Sequence, residues 1–228
     1  MNATDAWLVV PLYNEAAVIA DVVTAARRVF PKVVCVDDGS TDGSAELAES
    51  AGARVVRHPV NLGQGAALQT GFEYVLGDPA TRYVVTYDAD GQHQLQDVLV
   101  MVERARRGDV DVVFGSRFLD ERTRPSTAKR MVLRLAVAYT NLTTKTRLTD
   151  AHNGLRVLSR EVVEQLDITQ NRMAHASELV AQIGRMRVAG RPVAYAEEPV
   201  HILYTDYSRS KGQSLWNSIN ILVELMLR

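Results

Sequence analysis

The chain has 228 residues, of which 46% are hydrophobic and 23% are charged, and this ordinary composition argues against the disordered and fibrous classes of protein. The formal net charge of -1 provides no overall attraction for nucleic acid, and the single cysteine, Cys35, excludes an internal disulfide and a cysteine-rich zinc site. Because no signal-peptide pattern opens the chain and no apolar run approaches the roughly 20 residues that span a bilayer, we expect a cytoplasmic or membrane-peripheral protein.

Short β-branched runs alternate with helical patterns in the first half of the chain. The runs are WLVVP (7–11), VVCVD (33–37), RVVRH (54–58), YVVTYD (83–88) and DVVFGS (111–116). Helices are predicted at 18–30 with Asn14 as the cap, after Thr41 or Asp42, at 64–76 and at 95–107. This alternation predicts an α/β fold, with a mostly parallel twisted sheet flanked by helices on both faces.

The alternation loosens beyond residue 117. We expect a helix near 127–142, a strand at 154–159, a helix at 176–189 and a strand at 193–200. The last stretch places Leu215, Ile219, Leu222 and Met226 at helical spacing, which predicts an amphipathic helix. Because no linker or repeat interrupts the pattern, residues 1–228 are predicted to form a single domain.

Charges are distributed unevenly along this domain. Residues 1–100 hold 13 Asp and Glu against 6 Lys and Arg, whereas residues 117–147 hold 8 Lys and Arg against 2 Asp and Glu. An acidic crevice binds an anion only if a cation is present, while a basic segment attracts anions directly. We therefore expect the first part to hold a cation and the second to meet an anion.

Polar clusters follow three of the predicted strands. PLYNE (11–15) follows the first strand, DDGSTDGS (37–44) the second and DADGQ (88–92) the fourth. Any one of these clusters is also typical of an ordinary turn or helix cap. In open α/β sheets, however, ligands bind beyond the carboxyl ends of the strands, so three clusters at the same edge predict a single binding crevice.

Asp88 and Asp90 lie two residues apart at the end of a buried strand. Carboxylates this close repel each other unless a cation or a hydrogen-bond donor lies between them. Their oxygens are ligands suited to Mg²⁺ or Mn²⁺, which proteins usually hold with one or two carboxylates and the phosphates of a substrate. The pair therefore predicts a metal site that binds a diphosphate.

Six segments resemble, in order and spacing, the dolichol-phosphate mannose synthase-like branch of glycosyltransferase family 2. They are VVPLYNEAAVI, VVCVDDGSTDGS, NLGQGAALQTGF, DADGQHQ, FGSRF and TDAHNGLRVLS, which lie within residues 7–160. The resemblance implies a GT-A fold, with 1–116 as the half that binds the nucleotide sugar and 117–228 as the acceptor half. It implies an inverting, metal-dependent transfer from a UDP- or GDP-linked sugar to a polyprenyl phosphate (dolichyl, undecaprenyl or decaprenyl).

The resemblance also implies roles for individual residues. Asp88 and Asp90 match the D-x-D metal motif, Asp38 contacts the base, and Arg117 lies near the donor diphosphate and the acceptor phosphate. The further candidates for substrate binding are Pro11, Leu12, Tyr13, Glu15, Gly65, Ala89, Gln92, Arg130, Arg209 and Lys211. The segment NLGQGAA, which contains Gly65, is otherwise typical of a turn that opens the third helix.

The implied chemistry agrees with the residues. Displacement at the anomeric carbon requires the growing charge of the leaving diphosphate to be neutralised, which a metal and Arg117 can do. A phosphate acceptor is mostly dianionic at neutral pH and needs no strong base. Asp150 is either a catalytic base, as in relatives that act on hydroxyls, or a structural residue. Most of the five histidines are expected at the surface or at helix caps, and His93, beside the metal motif, is a further candidate.

The acceptor side depends on the basic residues. Arg130 and Arg134 alternate with apolar residues, which is typical of a membrane surface and equally of a solvated face over a core. Arg209 and Lys211 match a family segment that closes over the donor or binds the acceptor phosphate. We expect a protein at the cytosolic membrane face, with a homo-oligomer compatible with the sequence. The alternatives are transfer to a glycan hydroxyl, a nucleotidyltransferase, and a non-catalytic nucleotide-sugar-binding protein.

Overall fold

The computed structural model describes residues 3–120, 137–138, 140–144, 146–172 and 174–203. The strands are β1 (Ala6–Leu12), β2 (Val33–Asp37), β3 (Arg54–Arg57), β4 (Tyr83–Thr86), β5 (Val112–Ser116), β6 (Arg156–Ser159), β7 (Arg187–Val188), β8 (Arg191–Pro192) and β9 (Tyr195–Pro199). The helices are α1 (Ile19–Arg27), α2 (Ser44–Ser50), α3 (Gln64–Leu76), α4 (Leu95–Arg106), α5 (Arg160–Val163) and α6 (His175–Arg185). Residues 137–138 and 140–144 are helical as well.

In the described part of the chain, seven strands form one sheet in the order β3-β2-β1-β4-β6-β5-β9. Neighbouring strands run parallel except at β6, which lies antiparallel between β4 and β5. The carboxyl ends of the six parallel strands therefore meet at one edge, which we call the carboxyl edge, together with the start of β6. Chain order reverses between β1 and β4, the place where ligands bind in open α/β sheets. The predicted mostly parallel sheet is confirmed.

Alternating residues of the central strands face two separate hydrophobic clusters. Leu8 and Val10 of β1 pack in the cluster that contains α1 and α4, whereas Val9 packs with α3 and α6. A parallel sheet covered on both faces is buried throughout, and every residue of β2 is buried accordingly. The prediction of one α/β domain with helices on both faces is therefore confirmed.

The first helix starts later than its predicted cap. The prediction of Asn14 as the cap is wrong, because α1 begins at Ile19 and Val18 occupies the cap position without a side-chain hydrogen bond. Asn14 adopts a left-handed backbone with φ of 51°, which asparagine tolerates better than most residues. Its side chain binds the loop after β2 instead.

In the second half of the chain one predicted helix ends early, and α5, β7 and β8 were not predicted. The helix predicted at 176–189 ends at Arg185, because the following residues form the hairpin of β7 and β8, with positive φ at Ala189. The amphipathic helix predicted from Leu215 to Met226 lies outside the described residues, as does most of the helix predicted near 127–142. Among the residues that the structure describes, no helix is long and apolar enough to cross a membrane.

Candidate active site

The loops after β1 and β2 are joined by hydrogen bonds at the carboxyl edge. The backbone N–H of Asn14 donates to Ser40 Oγ at 2.9 Å, and the N–H of Thr41 donates to Asn14 Oδ1 at 2.9 Å. The N–H of Glu15 donates to Ser44 Oγ at 2.8 Å. The serine and threonine residues of DDGSTDGS thus hold the PLYNE loop, which brings together two of the three predicted clusters.

Asp38 anchors the loop that precedes α3. Its side chain accepts hydrogen bonds from the N–H groups of Leu62 and Gly63, at 2.9 and 2.7 Å, and lies 2.8 Å from His58 Nδ1. A carboxylate offers about four acceptor positions, so about one remains for a ligand. Asp38 is only 3% exposed, and its contact with a base stays a prediction. The sequence analysis missed His58, although RVVRH ends at the same edge as the other clusters.

The residues of PLYNE differ in their surroundings. Leu12 is buried in the core, Pro11 is half-buried in β1, and Tyr13 is 48% exposed. The charge of Glu15 acts on Asp90 and helps to raise its pKa, which places Glu15 near the metal motif. Tyr13 therefore offers an exposed ring beside the crevice, whereas the role of Leu12 in substrate binding stays a prediction.

Asp88 lies just beyond β4, since the strand predicted at 83–88 ends at Thr86. His93 Nε2 lies 2.9 Å from Asp88 Oδ2, and Gln64 Nε2 donates to Asp88 Oδ1 at 3.4 Å. The backbone of Gly154 passes directly against this carboxylate, because a Cβ there would stand 2.6 Å from Asp88 Oδ2. Asp88 is therefore fixed from three sides, by the nearby His93 and by Gln64 and Gly154, which lie far from it in the chain.

The two carboxylates of the D-x-D motif have opposite pKa shifts. Burial raises the pKa of Asp88, but the hydrogen bond from His93 and nearby positive charges, including Arg156, outweigh burial and lower it overall. Burial and the charge of Asp88 raise the pKa of Asp90 to about 6, although the N–H of Gln92 donates to Asp90 Oδ1 at 3.0 Å. The repulsion between the pair is thus not relieved by the protein's own groups.

These residues fit a divalent cation. Within the described ranges, no cluster of three or more His, Cys, Asp or Glu could hold a metal ion by itself. Mg²⁺ and similar ions need only one or two carboxylates when phosphate oxygens and waters supply the other ligands. A cation shared by Asp88, Asp90 and a diphosphate would also remove the repulsion that raises the pKa of Asp90.

Arg117 and Asp150 form an ion pair at the end of β5. Arg117 Nε and Nη2 donate to Asp150 Oδ2 and Oδ1 at 2.6 and 2.7 Å, and the N–H of Arg117 donates to Oδ2 at 3.1 Å. Burial raises the pKa of Asp150, but the charge and hydrogen bonds of Arg117 outweigh burial and lower it. Glu197 of β9 accepts from the N–H groups of Thr149 and Asp150 and so holds this loop.

The start of the C-terminal segment lies against the metal motif. The N–H of Leu203 donates to Gln92 O at 3.0 Å, and Ile202 forms an isolated β-bridge with His93. Ala89 and Gln92 are buried at 6% and 5% exposure. The candidates Arg130, Arg209 and Lys211 lie outside the described residues.

Gly65 packs against the segment before α6. Its N–H donates to Asn171 O at 2.9 Å, and a Cβ on Gly65 would stand 2.1 Å from Gln170 O. Gly63, with φ of 107°, occupies the N-cap of α3, which confirms that NLGQGAA opens this helix. The role of Gly65 in substrate binding stays a prediction.

Most of the five histidines were expected at the surface or at helix caps, but three of them have buried side chains, and one of these three, His175, begins α6. His93 and His175 are each 5% exposed, and the side chain of His58 is 8% exposed. The sequence analysis also missed Arg156, which is 1% exposed. The sequence feature that could have identified Arg156 is its position as a charged residue within the apolar run GLRVLS. Strand alternation places Arg156 on the same face of the sheet as the buried Leu158.

Comparison with known proteins decides the family. A family model described as glycosyl transferase family 2 matches residues 7–167. The chain belongs to glycosyl transferase family 2. The predicted family is thus confirmed, and the matched range contains both the D-x-D motif and the Arg117–Asp150 pair.

Curated relatives of this family 2 glycosyltransferase include enzymes named for lipid phosphates. The UDP-N-acetylglucosamine–dolichyl-phosphate N-acetylglucosaminyltransferase of Methanococcus voltae is 27% identical, over 97% of this chain and 94% of the relative. The undecaprenyl-phosphate 4-deoxy-4-formamido-L-arabinose transferase of Pseudomonas paraeruginosa is 32% identical, over 94% of this chain but only 61% of the relative. The resemblance to the polyprenyl-phosphate branch is therefore confirmed at the level of sequence.

Solved structures confirm the fold of this family 2 glycosyltransferase. The glucosyl-3-phosphoglycerate synthase of Mycobacterium tuberculosis, in complex with phosphoglyceric acid, matches with a TM-score of 0.72 and 20% identity. The match covers 98% of this chain and 79% of that one. The same synthase has been crystallised with Mn²⁺ and UDP. The predicted GT-A fold is confirmed.

Proposed function

We propose that this family 2 glycosyltransferase moves a sugar from a nucleotide diphosphate sugar to a polyprenyl phosphate, with Mg²⁺ or Mn²⁺ at Asp88 and Asp90. The observation that carries the proposal is the shared position of the D-x-D pair and the Arg117–Asp150 pair at the carboxyl edge. The names of the M. voltae and P. paraeruginosa relatives, which specify dolichyl and undecaprenyl phosphate, support the class of acceptor.

The donor half in this proposal is residues 1–116, and the acceptor half is residues 117–228. The PLYNE loop, held by DDGSTDGS, binds the nucleoside with Tyr13 at the opening of the crevice. A divalent cation, when bound, supplies positive charge to the diphosphate as it leaves. The Arg117 guanidinium, oriented by Asp150, stabilises charge at the same place, because a preoriented donor needs no reorganisation during the reaction.

The state of Asp150 supports a phosphate acceptor over a hydroxyl acceptor. Arg117 provides three hydrogen bonds to this carboxylate and lowers its pKa, so Asp150 is a weak base with little access to a substrate proton. An acceptor phosphate has a second pKa of about 6, and its dianion needs no base. Its oxygen forms the new bond to the anomeric carbon while the bond to the diphosphate breaks on the opposite face, which inverts the centre.

The proposed location is the cytosolic face of a membrane, to which the protein is peripheral. A polyprenyl chain cannot leave the bilayer, so the reacting phosphate must be met at the membrane surface. Residues 117–147 carry 8 Lys and Arg against 2 Asp and Glu, and this charge favours an anionic surface. Much of that segment lies outside the described residues, so its contact with lipid stays a prediction.

The test is a transfer assay with UDP- and GDP-sugars and a short polyprenyl phosphate, with Mn²⁺ or with EDTA. Asp90→Asn is compared with Asp109→Asn, which alters an exposed carboxylate just beyond the C-terminal end of α4. We expect transfer by the parent and by Asp109→Asn, and its loss with EDTA and in Asp90→Asn. Transfer that persists in EDTA would contradict the metal proposal, and transfer only to a glycan hydroxyl would replace the lipid acceptor.

A further inference from the structure

Unpartnered polar atoms concentrate in one short segment at the carboxyl edge. Among the described residues, eight buried side-chain nitrogen or oxygen atoms have no hydrogen-bond partner. Five of the eight belong to His152, Asn153 and Arg156, which we call the 152–156 cluster. Buried polar groups in native proteins are nearly always paired, so such a concentration indicates a missing partner.

The backbone holds the cluster in place. Thr86 of β4 pairs in register with Arg156 of β6, and Thr86 Oγ1 donates to Gly154 O at 2.6 Å. Asn153 Oδ1 accepts from the N–H of Leu155 at 2.9 Å, which identifies the other side-chain atom, Nδ2, as the donor without a partner. The cluster is therefore a fixed set of groups and not a disordered loop.

The neighbouring carboxylates are occupied by other donors. Arg156 Nε and Nη2 make no hydrogen bond, although the charges of Asp88 and Asp150 both act on this guanidinium. Asp150 is bound by Arg117, and Asp88 lies beside His93. The donors of Arg156 thus lie within electrostatic reach of two carboxylates without a hydrogen bond to either.

The chemistry of the cluster selects among ligands. Burial lowers the pKa of His152 to about 4, so its ring is neutral at pH 7 and has one donor and one acceptor nitrogen. A phosphate or carboxylate would satisfy Arg156 and Asn153, but it would be repelled by Asp88 and Asp150 and could not donate to His152. A hydroxyl both donates and accepts, and several hydroxyls on one ring match the whole set.

We propose that His152, Asn153 and Arg156 form the subsite that binds the hydroxyl groups of the transferred sugar. The inference rests on the proposed function, because it assigns the sugar of the nucleotide diphosphate donor to this place. It makes the cluster a determinant of sugar specificity, since a site with buried donors discriminates strongly against a ligand that lacks the matching hydroxyl.

The test measures binding by calorimetry in the presence of Mn²⁺. It compares a nucleoside diphosphate, UDP or GDP, with the corresponding UDP- or GDP-linked sugar. His152→Phe keeps the ring and removes two atoms that have no partner, so the variant is expected to fold. Arg156→Gln removes the guanidinium. Ser159→Ala is the matched control, because it removes another unpartnered buried atom at the far end of the same strand.

We expect His152→Phe to weaken binding of the nucleotide sugar about three- to tenfold, and Arg156→Gln to weaken it about ten- to a hundredfold. Binding of the nucleoside diphosphate should not change in His152→Phe, and Ser159→Ala should bind both ligands like the parent. Equal losses for both ligands in His152→Phe, or no loss for either, would overturn the inference. If the parent binds neither UDP nor GDP compounds, the proposed function itself fails, which is a distinct result.

Discussion

Arg117 and Asp150 lie 33 positions apart in the chain and form a bidentate ion pair, with N–O distances of 2.6 and 2.7 Å. Asp150 is 1% exposed, and the side chain of Arg117 is 14% exposed. A buried carboxylate that is bound in this way orients a cation more effectively than it accepts a proton. The pair therefore supports the structural interpretation of Asp150 over the catalytic base.

The pair predicts a non-additive effect of substitution. Asp150→Asn and Arg117→Gln should each lower turnover about tenfold or more, and the double variant should be little worse than either, because both remove the same oriented charge. The measurement is kcat for the parent, the two single variants and the double variant, which together form a double-mutant cycle. Each single change should also lower the free energy of unfolding by about 1–3 kcal/mol.

The pH profile separates the two roles of Asp150. If Asp150 only orients Arg117, Asp150→Asn lowers kcat at every pH and leaves the shape of the profile unchanged. Loss of the acidic limb of the profile in Asp150→Asn, with donor binding intact, would instead identify a catalytic base and favour a hydroxyl acceptor.

The contact between Gly154 and Asp88 makes a second prediction. A Cβ at Gly154 would stand 2.6 Å from Asp88 Oδ2, so Gly154→Ala must displace the carboxylate. We expect Mn²⁺ affinity in the presence of UDP or GDP to fall about tenfold or more, as is usual when groups that orient a metal ligand are changed. Gly77→Ala, at the exposed end of α3 with φ of -64°, is the control and should bind Mn²⁺ like the parent. Equal affinities in both variants would contradict this reading of the site.

The shifted pKa of Asp90 predicts how the stability of the metal-free protein depends on pH. The pKa is raised from 3.8 to about 6, so the folded state holds a proton that the unfolded state has lost in this interval. The resulting contribution to stability is complete below the unfolded pKa and is lost as pH rises through the folded pKa. Between about pH 4 and 6 the parent should therefore lose about 2 kcal/mol relative to Asp90→Asn.

The measurement for this pH effect is urea unfolding in EDTA, at several pH values, of the parent and Asp90→Asn. The difference between the two curves isolates Asp90 from the other titrating groups. Addition of Mn²⁺ at pH 7 should stabilise the parent and not the variant, because binding to the folded state alone raises its stability. Parallel curves in EDTA would show that Asp88 and Asp90 do not repel each other as proposed.

The hydrogen bonds of Asp38 predict that it stabilises the loop before α3. Asp38→Asn replaces an acceptor by a donor that faces an N–H group, and it should lower the free energy of unfolding by about 1–3 kcal/mol. His58→Phe removes one of the three contacts of Asp38 and also the contact of His58 Nε2 with Thr70 Oγ1, and it should cost about 1–3 kcal/mol. Chemical denaturation measures both values.

Nucleotide binding by the same two variants shows whether Asp38 also contacts the base. If Asp38 acts only through the loop, the loss of affinity follows the loss of stability in both variants. A large loss of affinity in Asp38→Asn alone would establish the direct contact that the family resemblance implies.

The elements of the first half could be predicted because their signals are local. Helix α3 occupies 64–76 as predicted, and α4 differs by one residue, since apolar residues at helical spacing define them without reference to the rest of the fold. The meeting of three polar clusters could be predicted as well, because parallel strands place their carboxyl ends at one edge. The sequence by itself thus determined the α/β class, the edge that carries the site and the D-x-D pair.

Only the tertiary structure decided which partner each polar side chain takes. The strand at 154–159 was predicted, but its antiparallel place between β4 and β5 was not, and this place brings Arg156 beside Thr86 and Gly154 against Asp88. Strand order depends on packing between residues far apart in the chain, and no local pattern encodes it. The partner of Asp150 and the burial of Arg156 follow from that order, which is why both had to be seen in the fold.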